Sequence, residues 1–265
     1  MKIGILGLGV VGGAVYTGFL ELGHEMSFYD PKDKNSKFTD VLQTEVCFIC
    51  VPTPPGITGK CDTSIVEQTI ERLQENNYTG IVAIKSTVQP GTTRSLQEKY
   101  SSFEICFVPE FLRERCAVVD FVENHDLCAI GTENKHVYDK IKQVHGPYPA
   151  NFKMLTPTEA EMLKYYNNVY NATLVTLANS FYEVCTSLEA DYSKIKEALV
   201  LREHINDSYL QCNKNFRGFG GVCLPKDTLA LATLVKEYGL DIDFFRMILE
   251  ENKKYKVTVY DGMRK

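Results

Sequence analysis

The sequence predicts an α/β protein, with a doubly wound sheet in its first part and an all-helical second part built on a long central helix. Three observations predict it. Short apolar runs alternate with helical patterns as far as about Pro149, and a glycine cluster joins the first run to the first helix. From Thr158 to about Leu188 helical periodicity then continues without a glycine or proline.

Taken in order, strands are expected at Lys2–Leu6, Glu25–Tyr29, Val46–Val51, Ile81–Ile84 and Ile105–Val108. Helices are expected near Val10–Leu22, Ser64–Asn76 and Thr92–Tyr100, and a further strand and helix, Leu127–Ile130 and Lys135–Val144, extend the sheet. Past a boundary near Pro147–Asn151 come Thr158–Leu188, Ser193–Leu201, Pro225–Tyr238 and Ile242–Tyr255, all helical. The chain thus divides into residues 1–149 and 150–265.

Composition narrows the classes. With 265 residues, 44% hydrophobic and 24% charged, this is an ordinary globular chain. Its net charge of -5 gives no electrostatic footprint for nucleic acid or an anionic membrane. No apolar stretch approaches the roughly 20 residues of a membrane span, and Met1 runs straight into a strand without a signal peptide, so a cytoplasmic setting is expected. Nine cysteines without framework spacing read as reduced thiols. Cys47 and Cys50 form a C-x-x-C within an apolar strand, where positions three apart face opposite ways, so neither a metal nor a redox pair is expected there.

Gly7-Leu8-Gly9-Val10-Val11-Gly12 is a G-x-G-x-x-G between strand and helix. Its glycines allow a tight turn and close backbone approach, and the helix N-terminus then faces a pyrophosphate, as in Rossmann-type dinucleotide sites. Asp30 ends the second strand 18 residues after Gly12. An acidic group there accepts a ribose 2′-hydroxyl and repels a 2′-phosphate, which favours NAD over NADP despite Lys32 and Lys34 nearby. Residues 1–149 are therefore read as an NAD-binding domain.

Gly218-Phe219-Gly220-Gly221-Val222-Cys223-Leu224-Pro225-Lys226-Asp227 holds the second signal. Pro225 marks a helix start just after Cys223; the helix dipole and Lys226 both favour a thiolate, and Asp227 lies in the same first turn. Taken alone, the stretch suits a buried cysteine in a glycine-rich connection equally well.

Further motifs are Val51-Pro52-Thr53-Pro54, Lys85-Ser86-Thr87-Val88 with Pro90-Gly91-Thr92, Pro109-Glu110-Phe111-Leu112-Arg113-Glu114, and Lys164-x-x-x-Asn168 on the long helix. In this order, together with Gly7–Gly12 and Gly218–Asp227, they resemble the UDP-glucose/GDP-mannose dehydrogenase family, the four-electron NAD-dependent nucleotide-sugar dehydrogenases. The resemblance implies that Cys223 attacks an aldehyde to give a thiohemiacetal, which a second hydride transfer converts to a thioester. Lys164 and Asn168 would stabilise an oxyanion, Glu110 would be the base for hydrolysis, and Thr87 and Asp227 would place the water. Cofactor contacts are implied at Gly7, Gly9, Val10, Val11, Gly12, Asp30, Val51, Pro52, Thr53, Ser86, Thr87, Glu114 and Lys226. A UDP-sugar would meet Glu110, Phe111, Leu112, Arg113, Lys164, Asn168 and Gly220. The long helix would form a homodimer, making 150–265 a dimerisation and catalytic domain.

Three departures stand out. The family's further nucleotide-binding domain has no counterpart up to Lys265, the segment Arg202–Arg217 is longer than the usual substrate loop, and Val11 or its immediate neighbour replaces a frequent tyrosine. Two other readings remain open on sequence: a two-electron β-hydroxyacid-type dehydrogenase, which leaves Cys223 without a task, and an NAD-binding module without activity.

Overall fold

The computed structural model of the chain describes residues 1–56 and 58–255. It divides into two compact units, Met1–Pro54 with Cys61–Lys164, and Pro55–Lys60 with Tyr165–Lys265. The last ten residues of the expected helical domain, 256–265, lie outside the described residues.

The first unit is a seven-stranded sheet, β1 (Lys2–Leu6), β2 (Glu25–Tyr29), β3 (Val46–Ile49), β4 (Ile81–Ile84), β5 (Ile105–Phe107), β6 (Leu127–Gly131) and β7 (Asn151–Leu155), in the order β2-β1-β3-β4-β5-β6-β7. The first five strands are parallel; β6 pairs antiparallel with β5 and parallel with β7. Alternate residues serve opposite faces: Val46 and Phe48 join one core cluster, while Cys47 and Ile49 join the other. Because both faces are buried, the central strands read as continuous apolar runs. The two sulfurs of the C-x-x-C accordingly separate, with Cys47 in one cluster and Cys50 packed against the other.

The connecting helices are α1 (Val10–Glu21), α2 (Phe38–Val41), α3 (Ser64–Glu75), α4 (Thr92–Lys99), α5 (Ala117–Val122) and α6 (Lys135–His145). α2 and α5 are too short for periodicity to signal. The strand order reverses between β1 and β3, and in open α/β sheets ligands bind outside the carboxyl ends of strands at such a switch point.

β7 lies beyond the sequence-based boundary between 149 and 150, which therefore leaves a strand of the sheet in the part expected to be all helical. The strand is short, with a charged residue at its centre, and it sits at the sheet's edge, so its pattern gave a weak apolar signal. The long helix α7 (Pro157–Ser187) spans 31 residues, about 46 Å at 1.5 Å per residue, and begins in the first unit before continuing in the second. From the first unit's portion, Glu161 is fully buried and accepts the backbone N–H of Gly91 (2.5 Å) and Thr93 (2.8 Å) at the start of α4.

In the second unit, α7 is followed by α8 (Tyr192–Leu199), α9 (Cys223–Glu237) and α10 (Phe244–Asn252). Tyr165, Val169 and Ala172 of α7 pack with Phe219, Ala230, Leu231 and Ile248. A second set of large apolar side chains stays exposed along α7 and just past its end: Tyr166, Tyr170, Leu177, Phe181, Val184 and Leu188. Their spacing of three, four and seven residues marks one continuous stripe. Among the described residues no helix is long and apolar enough to cross a membrane.

Candidate active site

The expected cofactor residues of the first unit, Glu114 excepted, lie at or just after the carboxyl ends of β1 to β4. The three glycines of the turn do different work. Gly7 has φ +91°, and a Cβ there would meet the Cys50 carbonyl oxygen at 2.8 Å. At Gly12 a Cβ would lie 1.9 Å from the Gly7 oxygen. Gly9, the N-cap of α1, instead faces open space, with nothing within 4 Å of a built Cβ. Two glycines close the turn and the third leaves room for a ligand at the helix start, a cradle that fits a pyrophosphate.

Asp30 stands beside this turn, accepting Leu8 N–H at 2.8 Å and Lys32 N–H at 2.9 Å. The Lys32 amide first, and then the Leu8 amide, hold its carboxyl below the usual range, so it is ionised at neutral pH. Ser86 is less available than expected: it is buried, and its hydroxyl donates to the Val51 carbonyl at 2.7 Å. It thereby ties β4 to the Val51–Thr53 segment. The Cys61 thiol braces the same region, donating to the Thr87 carbonyl at 3.1 Å and the Thr53 carbonyl at 3.6 Å. Val10, Val11, Pro52, Thr53 and Thr87 retain partial or full exposure around the turn.

After β5 the Glu110 motif forms an irregular segment organised by two lysines. Lys85 follows β4 directly, and its ammonium lies 3.0 Å from Glu110 Oε2, both side chains nearly inaccessible. Glu110 Oε1 accepts Phe111 N–H at 2.8 Å. Burial opposes ionisation of Glu110, but Lys85, helped by His125, outweighs it and holds the carboxyl below its ordinary value. For Lys85 burial is again the largest influence and lowers its pKa, yet Glu110 prevails and the ammonium is held above its usual value. Removing one partner of such a buried pair typically costs about 3–5 kcal/mol. Lys164 Nζ donates to the Glu110 carbonyl oxygen and lies 5.5 Å from the centre of the Phe111 ring.

The rest of this motif divides. Leu112 packs against the core. Arg113 turns to Asp120, with Nε at 2.9 Å and a second nitrogen at 2.5 Å, and lowers that carboxyl well below the usual range. Glu114 is exposed at the start of a 3₁₀ turn.

The second unit holds Cys223, Asn168, Asp227, Lys226 and Gly220. α9 begins at Cys223 itself, two residues earlier than Pro225 suggests, because proline is tolerated throughout a first turn. Among the described residues Cys223 is the exposed cysteine; the other eight are buried or partly so. One turn on, Asp227 is fully buried, with Oδ2 accepting Asn168 Nδ2 at 2.5 Å and Oδ1 2.8 Å from Lys226 Nζ. Lys226 is thus buried against Asp227, where sequence had suggested a cofactor contact. Asn167 in turn donates to Asn168 Oδ1 at 3.1 Å, fixing that amide's orientation.

Two residues without any motif hold the glycine-rich approach to Cys223. Asn252 of α10 accepts Phe219 N–H and donates to the Phe219 carbonyl, both at 2.8 Å. Asn179 of α7 accepts from Gly218 N–H (3.1 Å) and Arg217 Nε (2.7 Å). Their only sequence signal was a polar amide on an otherwise apolar helix face. Lys85 did leave a signal: a lysine directly after an all-apolar strand needs a buried counter-charge.

Comparison with known proteins gives the family. The UDP-glucose/GDP-mannose dehydrogenase NAD binding domain matches residues 32–148, and the central domain of the same family matches residues 158–254. The UDP-glucose 6-dehydrogenase of Rickettsia bellii is 33% identical over 243 residues, covering 89% of this chain and 53% of that protein. A UDP-glucose dehydrogenase from the hyperthermophilic archaeon Pyrobaculum islandicum has a similar structure, with a TM-score of 0.85 at 28% identity over 96% of this chain and 68% of that one. A GDP-mannose dehydrogenase from Pseudomonas aeruginosa, 24% identical with a TM-score of 0.70, shares the fold. The chain spans about half the length of the Rickettsia relative.

Proposed function

Because the chain belongs to the UDP-glucose/GDP-mannose dehydrogenase family and carries that family's NAD binding domain, we propose that it oxidises the primary alcohol of a nucleotide sugar to the acid, with UDP-glucose as the first substrate to test. The observation that carries the reading is Cys223: an exposed thiol at the first position of α9, one turn ahead of a buried aspartate. A simple alcohol–ketone dehydrogenase has no use for such a group.

NAD, when bound, supplies the hydride acceptor for both oxidations. The glycine turn and Asp30 would hold it, with Thr53, Thr87 and Glu114 as further contacts. Cys223 adds to the aldehyde carbon, forming the C–S bond of a thiohemiacetal; after the second oxidation this carbon is a thioester. Lys164 and Asn168 stabilise the oxyanion. Glu110 takes a proton from the water that hydrolyses the thioester, and Asp227, through its contacts to Asn168 and Lys226, orders the groups beside Cys223. Phe111 and Gly220 contribute to the sugar site, whereas the engagement of Arg113 with Asp120 and of Leu112 with the core makes their role one of shaping the segment.

The decisive measurement is NADH formed per sugar consumed, with UDP- and GDP-sugars offered in turn. Two NADH per sugar and an acid product are expected, and Cys223→Ser should lower acid formation by about 10³-fold or more. One NADH per sugar, indifferent to Cys223, would establish a two-electron dehydrogenase instead.

The exposed stripe on α7 supports a homodimer through that helix, since apolar surface of this extent usually marks an interface. Light scattering at micromolar concentration should give twice the chain mass, and Phe181→Glu should return it to the monomer. A wild-type monomer would sink the assembly.

A further inference from the structure

We propose that Lys85 is a positioning residue for thioester hydrolysis: its ammonium, 3.0 Å from Oε2, fixes the orientation and charge of the Glu110 carboxylate that receives the water's proton. This rests on the role given to Glu110 above.

The geometry is that of a brace. Lys85 comes directly after β4 and Glu110 three residues after β5, so a contact between neighbouring parallel strand ends sets the motif's start. Lys85 Nζ lies between two aromatic faces, 5.9 Å from the Phe48 ring centre and 5.8 Å from that of Phe121, and its side chain is 1% exposed. It is too enclosed to meet a sugar or a nucleotide. Glu110 is held at three points: Lys85 on one carboxylate oxygen, the Phe111 amide on the other, and the Lys164 ammonium on its carbonyl. A carboxylate oxygen accepts more than one hydrogen bond, so each keeps acceptor capacity beyond these contacts. One glutamate therefore joins a lysine that never reaches the reaction to a lysine that does.

Every titratable group facing the pair supports this direction. Cys50 after β3 and Cys128 on β6 are pushed up to about 12 by burial, and Cys106 on β5 is raised by the same cause. As neutral thiols they do not compete with Glu110 for the ammonium. His125, beyond α5, and His145 of α6 are both lowered, by burial first and by Lys85 second, so at neutral pH they bring no charge, and His125 assists Lys85 only in the acid range where its imidazole is protonated. Lys85 is then the cation that balances Glu110 within this buried group, with Lys164 at its carbonyl.

In the hydrolytic step the water oxygen forms a bond to the thioester carbon and the C–S bond breaks, with sulfur leaving as thiolate. Glu110 accepts one proton of the water, and the new carboxylic acid sheds the other to solvent. No oxidant is needed. The sign follows directly. Without Lys85, burial raises the Glu110 pKa, so the carboxylate is protonated and inactive at low pH and recovers as pH rises.

The test uses the whole chain with NAD and UDP-glucose, comparing wild type, Lys85→Met, Lys85→Arg and Glu110→Gln. Intact mass of the quenched protein reports the acyl adduct on Cys223, and carbon-13 NMR of labelled glutamate, with Glu110→Gln for assignment, reports the carboxylate titration. In Lys85→Met the Glu110 titration should rise by several pH units, to above about 6. The adduct should accumulate near pH 6 and clear near pH 9, with Lys85→Arg returning both to wild type. A Lys85 that serves only to hold the fold would lower the melting temperature without moving either profile, and that result overturns the proposal. Should the apolar variant not fold, Lys85→Gln, which keeps a donor and drops the charge, carries the same comparison. An adduct in Glu110→Gln without one in folded Lys85→Met refutes Lys85 alone. Absence of an adduct in Glu110→Gln refutes the role of Glu110, and the proposal with it.

Discussion

Two glycine-rich turns lead into two helices, one in each unit, and they are built on opposite plans. The turn Gly7–Gly12 is closed by backbone: that of Gly7 itself and that of Cys50, which follows β3, fill the space where two of its glycines would carry a side chain. The turn before α9 is held from a distance, by Asn252 on α10 and Asn179 on α7, through hydrogen bonds to Gly218 and Phe219. The first presents a bare helix start and the second presents a thiol at one. The site that receives a ligand through backbone is closed by backbone, including that of Cys50 after β3. A site that must hold one side chain in place recruits supports 33 and 39 residues away along the sequence.

That contrast can be broken at three points. The largest effect is expected from Gly12→Ala, whose methyl group would sit 1.9 Å from the Gly7 oxygen. Relief requires moving backbone, so a loss of about 3 kcal/mol or more is expected in chemical denaturation, together with loss of NAD binding. Wild-type stability in the Gly12→Ala variant would show that the turn is less tightly closed than its geometry indicates. Next is Asn252→Ala, which strands a buried N–H and C=O of Phe219 and should cost about 2–4 kcal/mol. Its signature is a changed rate of Cys223 alkylation alongside unaltered NAD affinity; an unchanged alkylation rate would remove Asn252 from the support of the thiol. The smallest effect on stability belongs to Gly9→Ala, where the added methyl meets nothing. A change within about 0.5 kcal/mol is expected, with NAD affinity at least about tenfold weaker because the methyl occupies the ligand's approach. Calorimetric titration showing unaltered affinity would place the pyrophosphate elsewhere.

The same contrast explains what was legible in the sequence. β1, β2 and β4 fall where the apolar runs place them, and α1, α3 and α4 end within a residue of expectation, since each depends on its own pattern. β7 escaped because an edge strand needs no continuous apolar run, and the antiparallel pairing of β6 has no local signature. Among the proposed site residues, motif position singled out Cys223, Glu110 and Lys164 without indicating their contacts. The commitment of Lys226 to Asp227, of Arg113 to Asp120 and of Ser86 to Val51 arises from side-chain packing, which no spacing rule encodes.

Glu161 carries a consequence for selectivity. Any helix start attracts anions, so a sheet flanked by several helices offers phosphates more than one lodging. At α4 the protein's own carboxylate already fills that position, bound by the Gly91 and Thr93 amides. At α1 no side chain caps the helix, and the first turn carries no acid. The chain thus occupies one vacancy itself and leaves the other to a visitor, so a ligand's phosphates are sorted partly by which seats are already taken.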